Sequence, residues 1–133
     1  MQGEQPRMRR AISDPLAAAN TGSYSPALRS GSWIFVSGQG PLSPSGEIVE
    51  GDIAHQTRVT LDNVKRLVEA GGGRMDQVVR CTCYLADISD FGAFDAVYRT
   101  YFGAPLPART TVAAGLQGIG IEIDATVFLG ETE

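Results

Sequence analysis

Two charged side chains stand where a strand ordinarily carries small or apolar residues. Arg109 follows Pro105-Leu106-Pro107-Ala108 and opens a run of small residues, Thr110-Thr111-Val112-Ala113-Ala114. Glu122 lies between Ile121 and Ile123 in a long segment of β-forming residues. These types carry two readings. In one, they are solvated strand charges or a surface ion pair, which contributes little to stability. In the other, the planar fork of the arginine binds a carboxylate bidentately beside a glutamate acting as general base and acid. Spacing alone leaves both open.

The remaining reactive side chains exclude more than they offer. The chain has one histidine, His55, and two cysteines, Cys81 and Cys83, spaced C-x-C. A structural zinc site takes about four Cys or His ligands, so no metal site is expected within one chain, and no cofactor. A Ser-His-Asp or Cys-His machine would rest on His55, which falls in the first turn of a helix and reads as solvated. Cys81 and Cys83, two apart on a strand, share one face beside Val79 and Leu85 and read as buried packing. Gly38-Gln39-Gly40-Pro41-Leu42-Ser43 approximates a G-x-G-x-x-G loop, but its third glycine is missing and Pro41 stands where a helix must open. There is no Walker pattern and no G-x-S-x-G elbow.

The elements that position these residues are short and closely punctuated, with 16 Gly and 7 Pro among 133 residues. Residues 1–20 show no periodicity and read as a loosely held N-terminal arm. Residues 21–133 read as one domain. The apolar run Trp33-Ile34-Phe35-Val36 predicts a strand buried on both faces. Residues 54–70 predict an amphipathic helix with Ala54, Leu61, Val64 and Val68 on one face, ended by Gly71-Gly72-Gly73. Residues 78–85 read as a strand, and 91–102 as a second helix with Phe91, Phe94, Tyr98 and Tyr101 in one stripe. The last strands are 108–113 and 121–129. This order predicts an α+β sheet with both helices on one face. Ile121, Ile123, Ala125, Val127 and Leu129 share one side of the final strand, but the 33–36 run shows no alternation. The second sheet face therefore calls for a cover that two helices cannot supply, and another subunit is the economical one.

Apolar residues make up 43% of the chain and charged residues 20%, a globular composition. Fifteen acids against eleven bases give a net charge of −4, which argues against a nucleic-acid partner. Arg7, Arg9 and Arg10 fall in the arm. No apolar run approaches the roughly 20 residues of a membrane span. Arg9-Arg10 precedes a stretch too polar for a signal peptide, so a cytoplasmic setting is expected.

Pro107-Ala108-Arg109-Thr110-Thr111-Val112, followed by Gly120-Ile121-Glu122-Ile123-Asp124-Ala125, resembles the C-terminal signature of the Rid family. These are the reactive intermediate deaminases, also called the YjgF-type or endoribonuclease L-PSP family. Gly22-Ser23-Tyr24-Ser25-Pro26 is similar to the family's G-P-Y-S-P/Q turn, and Phe35-Val36-Ser37-Gly38-Gln39 to its first core strand. Residues 56–70 are similar to its first helix and 87–98 to the entry of its second. The resemblance covers nearly the whole chain from about Thr21.

It implies a chorismate-mutase-like fold, a mixed sheet with two helices on one face, assembled as a homotrimer with sites in the clefts between subunits. It also implies hydrolysis of 2-imino acids, formed from enamines such as 2-aminoacrylate, to 2-oxo acids and ammonia. Arg109 and Glu122 would be catalytic, with Arg109 on the substrate carboxylate and Tyr24, Ser37, Gly38 and Thr111 lining the site. The implied partners are small 2-imino and 2-oxo acids and further copies of the chain, with no membrane. Two positions depart from the pattern. Thr111 stands where many deaminases have cysteine, and Asp95 where many have asparagine, adding negative charge if it reaches the site. Two other readings are a non-catalytic carboxylate-binding module and a single-strand endoribonuclease or translation inhibitor. Retention of Arg109 favours the enzyme over the first, and the net charge disfavours the second.

Overall fold

Strict alternation along residues 121–128 and a 3.6-residue period along residues 53–70 decide the architecture, because each leaves one apolar face to be covered. The computed structural model describes residues 8–131. Its elements run β1 (Arg10–Ile12), β2 (Ala27–Ser30), β3 (Trp33–Gln39), α1 (Ile53–Ala70), β4 (Val78–Leu85), α2 (Phe91–Tyr98), β5 (Ala108–Ala113) and β6 (Ile121–Phe128). The strands form one six-stranded sheet in the order β1-β2-β3-β6-β4-β5. The β4–β5 pair is parallel and the other pairs are antiparallel, so the sheet is mixed.

Helix α1 is set at both ends. The Asp52 carboxylate accepts the His55 amide at 2.9 Å, capping one of the N–H groups that a helix start leaves unpaired. Past Gly71, Gly72 adopts φ +96°, a left-handed backbone that stops the helix without a Cβ clash. Leu61, Val64, Leu67 and Val68 of α1 are fully buried against Ile121, Ile123 and Val127 of β6 and Ile34 of β3. Phe94 of α2 joins the same core. Both helices therefore cover one sheet face, as the pattern predicts.

Four expectations need correction. The stretch read as an arm contains β1, paired to β2 through Ala11 and Leu28, with Ile12 buried; residues 1–7 lie outside the described residues. The 33–36 run is not buried on both faces in one chain. Ile34 and Val36 face the core, while Trp33 and Phe35 are 41% and 45% exposed. The second helix ends at Tyr98 and passes into a 3-10 turn, Arg99–Tyr101. A register shift between Val78 and Arg80 turns Val79 outward, so Val78 joins Cys81, Cys83 and Leu85 on the buried face.

The sheet face away from the helices carries Trp33, Phe35, Phe128 and Val112. Trp33 packs on Phe128 with ring centroids 4.7 Å apart and stacks on Phe35 at 6.5 Å. An aromatic cluster of this kind on an uncovered sheet is an exposed apolar patch with the composition of an interface.

Candidate functional site

Glu122 alternates outward from the core on β6, opposite Tyr84 of β4. On its other side β3 breaks register between Val36 and Gln39, which places Ser37 and Gly38 at an irregularity beside it. The Glu122 carboxylate lies against the Gly38 backbone. A Cβ at position 38 would come within 2.8 Å of the Glu122 Cδ, so the close approach depends on glycine. Among the described residues this carboxylate has no hydrogen-bond partner. Burial, and secondarily the Asp124 charge, pushes it above the ordinary carboxylate range. Asp124 itself is engaged: its carboxylate accepts the Thr82 amide at 3.1 Å and the Tyr84 hydroxyl at 3.4 Å.

Glu122 opens into a cleft of about 520 Å³ walled by Tyr24, Gly38, Leu42, Ile48 and Leu116 among others. Tyr24 sits on the turn before β2 and is 43% exposed, its hydroxyl 2.9 Å from that of Thr21. Ser37 ties that turn to the sheet, donating its hydroxyl to the Ser25 carbonyl at 2.7 Å. Two buried amides of α1 hold the remaining walls. Asn63 donates to the carbonyls of Gly40 and Leu42 at 3.1 and 3.0 Å. Gln56 donates to the Val49 carbonyl and accepts the Gly120 amide at 3.0 Å, fixing the loop that leads into β6.

Arg109 occupies a different place. Cys81, which faces the core, is its register partner, so Arg109 projects to the helix side of the sheet. There its guanidinium lies 5.3, 5.2 and 4.6 Å from the ring centroids of Phe91, Phe94 and Tyr98. Nη1 donates to Asp95 Oδ1 at 2.7 Å, and Asp95 Oδ2 accepts from Arg99 at 3.1 Å. The hydrogen bond from Arg109, with Arg99 assisting against burial, holds Asp95 below its ordinary range. Thr111 follows two residues on, and its hydroxyl is buried with no partner among the described residues. The hollow beside Arg109 is lined by Asp95, Tyr98, Arg99, Leu106 and Pro107.

The structure thus gathers Glu122, Gly38, Tyr24 and Ser37 at one centre, and Arg109 and Thr111 at another. Within one chain it does not join them, because the two centres lie on opposite faces of the sheet. Sequence reasoning missed Gln56 and Asn63. Their signal was present: polar residues at helical spacing on the face of α1 that carries Leu67 are misplaced unless they bond something. Burial raises both thiols, Cys81 to about 11, so neither presents a thiolate near neutral pH. Among the described residues no three His, Cys, Asp or Glu side chains gather into a set able to hold a metal ion. No helix among them is long and apolar enough to cross a membrane.

Residues 14–129 match the family model described as endoribonuclease L-PSP. A RutC family protein of Pyrococcus horikoshii is 40% identical over 124 residues, covering 91% of this chain and 98% of its own. The 2-iminobutanoate/2-iminopropanoate deaminase of Rattus norvegicus is 40% identical over 126 residues, 92% of either chain. The crystal structure of E. coli TdcF with bound serine superposes with a TM-score of 0.83 at 30% identity, covering 90% of this chain and 98% of that one.

Proposed function

The chain belongs to the endoribonuclease L-PSP family, the Rid family, and from that premise we propose that it hydrolyses small 2-imino acids to 2-oxo acids and ammonia. Arg109 anchors the substrate carboxylate through its fork. Glu122 removes a proton from water as the oxygen bonds to C2 of the imine, while the C=N π bond becomes a lone pair on nitrogen. The glutamic acid then returns that proton to the nitrogen, giving a carbinolamine. The carboxylate next takes the hydroxyl proton and passes it to the same nitrogen, so the C–N bond breaks and ammonia leaves as the C2 carbonyl forms. Atoms balance with water alone, and no cofactor enters. The observation that carries this reading is the Glu122 carboxylate, half-buried in a cleft with no hydrogen-bond partner among the described residues and raised by that burial.

The separation of the two centres is part of the same proposal. Arg109 of one copy, reached past the edge strand β5, and Glu122 of another complete a site when copies pack with their uncovered sheet faces toward one another, and we read the assembly as a homotrimer. Trp33, Phe35 and Phe128 supply the apolar surface for it. The deaminase named in rat and the serine bound to E. coli TdcF both fit a small amino-acid-derived ligand. Orientation inside a cleft shielded from bulk water contributes the remainder of the acceleration.

The test generates 2-imino acids from a panel of amino acids with an amino-acid oxidase and follows imine decay and 2-oxo acid release against a no-protein control. Acceleration for alanine- or butanoate-derived imines supports the reading. Rates equal to the control across the panel overturn it.

A further inference from the structure

The pairing of Arg109 with Asp95 has a consequence for which carboxylates the anchor accepts. Asp95 binds Nη1 alone. That leaves Nε and Nη2, the side edge of the fork, without a protein acceptor among the described residues; two residues on in β5, the Thr111 hydroxyl is also buried with no partner among them. An arginine sandwiched by three rings and held by one carboxylate is oriented, yet retains a bidentate edge for a second. Its charge environment is equally defined. The charged groups here are Arg109 on β5, Asp95 on α2 and Arg99 just beyond it. Tyr98 and Cys81 are both raised and stay neutral at ordinary pH. The set carries one net positive charge. Arg99, with 69% of its side chain exposed, is the more screened of the two cations.

We propose that Asp95 sets the charge selectivity of the anchor: it positions Arg109 and cancels one of the two positive charges, fitting the site to substrates with a single carboxylate and against dicarboxylic ones. The proposal rests on the reading of Arg109 as the carboxylate anchor. A monocarboxylate places one negative charge a few ångströms from Asp95. A dicarboxylate places two there, and the second meets no uncancelled cation. Asparagine at the same position keeps a hydrogen-bond acceptor for Nη1 but removes the charge. Asp95 is thus a positioning and specificity residue acting through Arg109.

The experiment titrates wild type, Asp95→Asn and Asp95→Ala with 2-oxobutanoate and 2-oxoglutarate. It follows the Arg109 side-chain Nε–H resonance, identified by its loss in Arg109→Lys. For Asp95→Asn, Coulomb's law with an effective dielectric of about 45, between a protein surface and bulk water, and carboxylates about 5.5 and 11 Å from Asp95 gives about tenfold tighter 2-oxobutanoate and about thirtyfold tighter 2-oxoglutarate. Asp95→Ala should show the same gain for the dicarboxylate over the monocarboxylate, with both bound more weakly than in Asp95→Asn because the guanidinium loses its orienting partner. A structural disturbance alone would change both ligands by one factor. Equal factors for the two ligands, or no tightening in Asp95→Asn, overturn the proposal. If these titrations behave as expected while the wild type fails to hydrolyse 2-imino acids, the deaminase reading falls and the charge selectivity stands. If neither anion moves the Arg109 resonance in any variant, the anchor and the selectivity fall together.

Discussion

The surroundings of Glu122 and of Arg109 meet opposite electrostatic requirements with the same few residue types. At the first centre a carboxylate has no partner among the described residues. Burial raises it, and its neighbour Asp124 is tied off by Thr82 and Tyr84. At the second a carboxylate, Asp95, is paired twice and lowered, and three aromatic rings immobilise the cation that it faces. A group that must move protons is kept free of hydrogen bonds that would lock one protonation state. A group that must hold a charged ligand is instead fixed in direction and partly neutralised. On the proposed function, one sheet would present a base on one face and an anchor on the other.

Removal of the anchor should have the largest effect. Arg109→Ala takes away both charge and fork and strands the ligand carboxylate, for a loss of about 2–4 kcal/mol, on the order of 30- to 1,000-fold in kcat/KM. Arg109→Lys keeps the charge without the planar edge and should fall between the two. The same substitutions test the ring sandwich. Arg109→Ala should lower stability by about 1–2 kcal/mol, since it removes cation–π contacts in a partly desolvated setting and leaves Asp95 with Arg99 alone. Turnover of a 2-imino acid and urea unfolding, measured on all three proteins, separate the two losses. Equal kcat/KM throughout would reduce Arg109 to a structural ion pair and erase the contrast between the centres.

Glu122→Gln comes next. It keeps the shape beside Gly38 and removes the proton acceptor, so kcat should fall about 10²-fold while KM and assembly stay nearly constant. Because the residue is raised, the acid limb of the wild-type rate profile should lie above the ordinary glutamate value of 4.5. Activity is lost as pH falls through that limb, since the base must be ionised to accept a proton. An unchanged kcat in the folded variant would make Glu122 a strand residue and nothing more.

What was legible before the structure follows from which forces are local. The alternation of Ile121, Glu122, Ile123 and Asp124 fixes side-chain direction residue by residue, so the inward and outward faces of β6 read directly. The stop at Gly71-Gly72 is equally local. Strand β1 was hidden because Arg10-Ala11-Ile12 has no periodicity of its own; its pairing with β2 and the burial of Ile12 are tertiary. The 33–36 run misleads for a related reason. Its uniform apolar character carries no face, whereas the chain itself covers Ile34 and Val36 and leaves Trp33 and Phe35 exposed. Arg109 was legible as a residue type, but its face relative to that of Glu122 was not. The register of β5 against β4, through Cys81 and Arg109, decides that they part company. Asp95 was visible as a departure from a pattern, and only the 2.7 Å contact shows what it touches.

The smallest effect is also the sharpest test of the contrast, because the two carboxylates should respond to pH with opposite signs. Asp95 is lowered from 3.8 by its bond to Arg109, so the unfolded chain binds more protons than the folded one between the lowered value and 3.8. Its contribution is fully present above that window and is lost as pH falls through it. Asp95→Asn should therefore be less stable than wild type at pH 7, by about 0.5–1 kcal/mol for a partly exposed pair, with the gap closing in strong acid. Glu122 is raised, so the folded chain holds the extra proton and stability falls as pH climbs from 4.5 through the raised value. Glu122→Gln should accordingly match wild type below 4.5 and be the more stable of the two at neutral pH. Urea unfolding at fixed protein concentration, from pH 3 to pH 8, reads both differences in one series. Opposite signs sustain the division of labour between the centres; a shared sign would show that Glu122 has a partner in solution and is not the free base.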